Sequence, residues 1–89
     1  MPHSTSKQLQ LGKIALEQGD GNQAEQRFRA VLHEPGCPAH MRVEAYIGLG
    51  RCLDQRGRRP AAQACYRRVL ALTDDLNYRQ LARTLYRKS

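Results

Sequence analysis

Two histidines and a cysteine lie close together in His33-Glu34-Pro35-Gly36-Cys37-Pro38-Ala39-His40. They are the side chains of this chain best suited to hold a metal, since imidazole and thiolate are zinc ligands and a catalytic zinc needs only three of them from the protein. The spacing matches no familiar zinc signature, however, and neither a second cysteine pair nor a general base with a clear role stands nearby. Two prolines and a glycine make the stretch a loop. His33 there closes the preceding helix, where a cation suits the helix dipole. The chain has no glycine-rich phosphate loop and no paired carboxylates with an active-site spacing. No catalytic residue, metal or cofactor is expected, and the chain reads as a binding protein, not an enzyme.

The remaining chemistry is charge. Among 89 residues, 15 Lys and Arg outnumber 8 Asp and Glu, a net charge of +7. Residues 1–50 carry five basic and five acidic side chains, so the whole excess lies in residues 51–89, with ten and three. Such asymmetry draws an acidic partner, a nucleic acid or a membrane surface toward one end. With one Phe, four Tyr and no Trp, few of them interleaved with the cations, a stacking platform for single-stranded nucleic acid is poorly supplied. An odd number of cysteines, three, fits free thiols in a reducing compartment. Cys52 and Cys65 fall on helical packing positions, as small buried hydrophobes. No apolar run is long enough to span a bilayer and no signal-peptide core follows MPHSTSK; a cytoplasmic protein is expected.

The elements that must position these charges come in two copies. Gly50, Gly57, Ala62, Tyr66 and Val69-Leu70 reappear thirty-eight residues earlier as Gly12, Gly19, Ala24, Phe28 and Val31-Leu32. Each copy reads as a helix, a turn and a second helix. Gly57 accepts the left-handed conformation that ends the first helix, Pro60 suits the first turn of the next, and Ala62, Tyr66, Val69 and Leu70 make one apolar stripe. Gly50 lets two helices approach closely, small residue against small residue with an aromatic as wedge. Expected helices run from about Ser6 to Gln18, Asn22 to His33, Pro38 or Ala39 to Arg56, Arg59 to Leu72, and Leu76 to Arg87. Ser4 to Ser6 would cap the first helix after a loose terminus, with Leu11, Ile14 and Ala15 on its packing side. Asp74 or Asp75 would cap the last, which packs through Tyr78, Leu81, Ala82 and Leu85. The third helix is about one turn longer than the first, and that turn accounts for a long period.

The order Leu11-Gly12, Gly19-Asp20, Ala24, Phe28, Leu32, repeated as Tyr46, Leu49-Gly50, Gly57, Ala62, Tyr66, Leu70, resembles the tetratricopeptide repeat, whose usual period is about 34 residues. Gln8 replaces a large aromatic of that pattern, and Gly36 and Asp74 replace its proline. The resemblance implies an all-α fold: a short right-handed α-solenoid of about five antiparallel helices, one domain over residues 1–89. Repeat 1 would occupy about 6–34, repeat 2 about 38–73 and a capping helix about 75–88. Two copies alone bury too little apolar surface, so the last helix covers the exposed side of the second hairpin.

In stacked repeats of this kind the first helices line a concave groove. Its expected residues are Leu9, Lys13 and Leu16, then Ile47, Arg51 and Asp54, then Arg79, Arg83 and Tyr86. Lys13, Arg51 and Arg83 each follow a close-packed small residue and would form a row of cations. Such a row suits an acidic segment or C-terminal tail of another protein, because a guanidinium pairs with a carboxylate in two contacts at once. The resemblance implies a similar use, as adaptor or chaperone, although the asparagines of the family's carboxylate clamp are absent. Two alternatives belong to other classes: an assembly subunit that self-associates or docks in a larger complex, and nucleic-acid binding through Arg58, Arg59, Arg67 and Arg68.

Overall fold

The computed structural model describes residues 2–88 and consists there of five helices, α1 (Pro2–Glu17), α2 (Gly21–His33), α3 (Ala39–Gln55), α4 (Arg59–Leu72) and α5 (Leu76–Lys88). Each packs chiefly on its neighbours in the chain, and α1 and α5 also lean on α3. The arrangement is an all-α solenoid of two helical hairpins and a closing helix.

The two hairpins turn in the same way, bond for bond. Gly19 and Gly57 both have φ of 78°, the left-handed region that glycine enters without a steric penalty. In the first turn Gly19 N–H donates to Leu16 O and Asp20 N–H to Ala15 O; in the second Gly57 N–H donates to Asp54 O and Arg58 N–H to Leu53 O. These paired bonds use up the carbonyls a helix end leaves open. Only the entry to the second helix differs. Asp20 Oδ1 accepts from Gln23 N–H before α2, whereas α4 has no side-chain cap and relies on proline in its first turn.

What stands against each glycine is an aromatic ring, not a second small residue. A Cβ on Gly12 would come within 2.9 Å of the Phe28 ring, and one on Gly50 within 2.4 Å of the Tyr66 ring. Phe28 also meets Gly48 of the next hairpin, where a Cβ would lie 2.3 Å from its Cζ. One fully buried ring is therefore held between glycines of α1 and α3. Around it the core collects Val31, Val43, Leu53 and Val69, and Cys52 Sγ donates to Gly21 O at 3.2 Å, tying α3 to the start of α2.

Several expectations need correction. The first helix begins at Pro2, not near Ser6; proline is well suited to an opening turn, and Thr5, now inside the helix, is buried. Ser4 to Ser6 are therefore not a cap. Ile14 is 41 % exposed, and Leu9 and Gly12 take the packing side of α1 with Ala15. With its earlier start α1 nearly equals α3 in length, 16 against 17 residues. The fifth helix is entered as expected, with Asp75 Oδ1 accepting from Asn77 and Tyr78 N–H.

Candidate functional site

The expected groove residues divide into three groups. Leu9 and Ile47 are 6 % and 7 % exposed: with α1 and α3 packed on each other they belong to the core and cannot grip a ligand. Leu16 is half-buried against that core. Asp54 is half-buried on the last turn of α3 and accepts the Tyr66 hydroxyl at 2.6 Å. Its carboxylate thus serves the hairpin.

The second group is cationic but committed. Lys13 Nζ lies 2.7 Å from Glu44 Oε1, so its charge is opposed within the protein. Tyr78 approaches the same pair from α5, and its hydroxyl is held above the usual range by burial first, then by the Glu44 carboxylate, with Lys13 pulling the other way. Arg79 donates through Nη1 to Leu70 O at 2.7 Å and Thr73 O at 3.0 Å. The turn 73–75 is short, so the last carbonyls of α4 lie within reach of the first turn of α5, and a guanidinium satisfies them.

The opposite ends of these helices are joined in return. Arg59 Nη2 donates to Lys88 O at 2.7 Å, and Gln63 Nε2 to Tyr86 O at 3.4 Å. Each of α4 and α5 therefore caps the C-terminus of the other.

The third group stays open. Arg51 is exposed and in no ion pair among the described residues. Arg83 and Tyr86 lie on the seam between α4 and α5, where with Arg67, Leu70 and Arg87 they line a shallow bowl of about 170 Å³. Of the expected row of Lys13, Arg51 and Arg83, Lys13 is thus paired with Glu44, while Arg83 lines this bowl. Arg67 lies over the Tyr86 ring, 5.8 Å from its centroid. None of the three guanidinium groups of this bowl has an ion-pair partner among the described residues. Leu70 and the tyrosine ring give it an apolar surface inside a cationic rim.

Sequence reasoning missed Arg67 and Arg87 as members of one cluster with Arg83. Arg83 and Arg87 do share a helix face by their spacing. Arg67 joins them only through the crossing of α4 and α5, which no local spacing encodes.

Elsewhere, Glu25 joins Arg56, the residue after α3, at 2.8 Å to Arg29 of its own helix at 3.0 Å. No group of three His, Cys, Asp or Glu among the described residues could hold a metal. Cys37 is half-buried while Cys52 and Cys65 are buried, all three as free thiols. Burial pushes the Cys65 thiol up to about 11, opposed only by Arg29. No helix among the described residues is long and apolar enough to cross a membrane.

Neither a curated protein nor a solved structure matches the chain. A family model does: the tetratricopeptide repeat, over residues 15–85. That span takes in both glycine-capped turns, both buried aromatic rings and most of α5, and the chain belongs to the tetratricopeptide repeat family.

Proposed function

We propose that this chain is a protein-interaction module, working by binding and not by catalysis, that holds an acidic segment of a partner protein at the α4–α5 seam. The observation that supports this is the bowl of Arg67, Arg83 and Arg87 around Leu70 and Tyr86. Three guanidinium groups without internal carboxylates are ready to pair with external ones, and an apolar floor rewards a neighbouring aliphatic side chain. Arg51 adds charge nearer the concave side, whereas Lys13, held by Glu44, contributes little. The family supports protein binding in general; the acidic ligand and the adaptor role rest on the bowl. Nucleic-acid binding is the weaker reading, because the Tyr46 and Tyr86 rings are already covered by Arg68 and Arg67.

The test is fluorescence anisotropy with labelled acidic peptides carrying one leucine, against basic and leucine-free controls, at about physiological salt where the Debye length is about 8 Å. Arg67→Glu/Arg83→Glu/Arg87→Glu should abolish binding, and Lys13→Glu should leave it nearly unchanged. Equal binding by the triple variant and the wild type would remove the bowl from consideration. A preference for single-stranded nucleic acid over every peptide would favour the other reading.

A further inference from the structure

A second surface lies on a different side of α4. α2 and α4 both run antiparallel to α3 and do not pack on one another, which leaves a groove of about 380 Å³ between them. Its floor is Leu49 and Leu53 of α3 with Cys65 of α4, all buried in the core beneath. Leu32 forms one wall. Ala61 and Ala64, both exposed, keep the other wall low. The rim is basic: Arg29 and His33 line it and no acidic side chain does, while Arg68 sits over the half-buried Tyr46 at one end, 5.6 Å from the ring centroid. Glu25 is shared between Arg29 and Arg56, so one carboxylate serves two cations and the rim keeps a net positive charge.

We propose that this groove receives an amphipathic helix of a partner protein, its apolar side chains on the accessible Leu32, Tyr46, Ala61 and Ala64 above the buried floor and its acidic residues against Arg29 and Arg68. The backbone argument selects a helix. Every wall here is α-helical and has its amide and carbonyl groups engaged internally, so an extended ligand buried in the groove would find no partners for its own. A helix brings its backbone already satisfied. The low alanine wall admits a second helix at close range. The charge argument selects an acidic partner and disfavours a second copy of this chain, which carries +7 itself. The groove shares no lining residue with the α4–α5 bowl, so the two sites stand or fall separately.

The experiment uses the full chain and a labelled peptide of about five helical turns, with leucines on one face and glutamates along its edges. One control replaces the glutamates by lysine and another carries a central proline. Ala64→Arg fills the groove at an exposed position with a good helix former, and its added positive charge would by itself strengthen an acidic ligand, so a loss must be steric. Binding to the wild type should weaken at least about tenfold in Ala64→Arg and in Arg29→Glu/Arg68→Glu, and change less than about twofold in Arg83→Glu/Arg87→Glu. Both control peptides should fail, and amide shifts should centre on Ala61 and Ala64, with circular dichroism confirming that each variant is folded. No binding to the wild type, equal binding by Ala64→Arg, or equal binding of the proline peptide would each overturn the proposal. A concentration-dependent mass in sedimentation that Ala64→Arg abolishes would also overturn it, by filling the groove with a second copy. Loss confined to Arg83→Glu/Arg87→Glu would remove the groove and leave the α4–α5 reading intact.

Discussion

The hydroxyl of Tyr66 donates to Oδ2 of Asp54 across 2.6 Å, joining a fully buried ring of α4 to the last turn of α3. One period earlier the same two positions are Phe28 and Leu16. The hairpins solve one packing problem with a polar pair in one case and an apolar pair in the other. Tyr66→Phe and Asp54→Leu should each destabilise the protein by about 1–2 kcal/mol, because each leaves a partner with a lost hydrogen bond. The double variant copies the first hairpin and should recover part of that loss, a coupling of about 1 kcal/mol in a double-mutant cycle from urea unfolding. Strict additivity would show that the two side chains act independently.

Alkaline pH should unfold the protein through the same region. Burial, then the Asp54 hydrogen bond and charge, raise the Tyr66 hydroxyl well above its usual range, and burial raises the Cys65 thiol to about 11. Both groups are held neutral in the fold and ionise earlier when unfolded. Their contribution is complete below the unfolded values, about 8.5 for the thiol and 10 for the phenol, and is lost as pH rises through the folded ones. Stability should fall steadily above about pH 9, less steeply in Tyr66→Phe. A flat profile to pH 11 would contradict this.

Thiol labelling offers a separate check on the core. Cys37 is half-buried and the other two are buried, so a thiol reagent at neutral pH should modify Cys37 first and the rest only on unfolding. Fast labelling of Cys52 would mean that the α2–α3 joint opens readily.

Gly48→Ala should be costly although alanine is the better helix former by about 1 kcal/mol. Its Cβ would fall 2.3 Å from Phe28 Cζ, and a fully buried ring that also packs against Gly12 has little room to retreat. A net loss of about 1–3 kcal/mol is expected, with Phe28→Leu reducing the penalty in the double variant. Thermal unfolding of the wild type, the two single variants and the double variant measures it.

Arg79→Met removes the donor that covers two carbonyls at the end of α4 while keeping an unbranched side chain in place of the arginine stem. About 1–2 kcal/mol should be lost, and hydrogen exchange should quicken in α5 before it does in α2. Uniform acceleration along the chain would assign Arg79 to global stability instead.

Much of the fold is legible in the residues themselves. The turns at Gly19 and Gly57 follow from a left-handed requirement that glycine meets best, and Phe28 and Tyr66 declare their depth by recurring at the same distance from those turns. The start of α1 is not legible, because serines and a threonine serve equally as caps and as helix interior, and the burial of Thr5 decides between them. The site is less legible than the fold. Lys13 and Arg79 look alike as exposed cations, yet one meets Glu44 across a helix joint and the other meets carbonyls across a turn. Such contacts depend on how α3 and α5 cross their neighbours, and a short final turn sets that crossing at Arg79.

The ring of Phe28 belongs to two repeats at once, and this gives the array a direction. An element joined to its neighbour by a shared buried ring cannot leave without opening a void, whereas α5 puts only one small residue, Ala82, fully into the core, with Tyr78 and Leu85 half-buried beside it and hydrogen bonds to α4 at its two ends. Partial opening should therefore start at the C-terminal end and travel backwards, with α5 lifting while Phe28 still clamps α1 to α3. The face so uncovered includes the Leu70 side of α4, so a partner that grips the α4–α5 seam would also act as a latch on the end of the chain that is readiest to come apart.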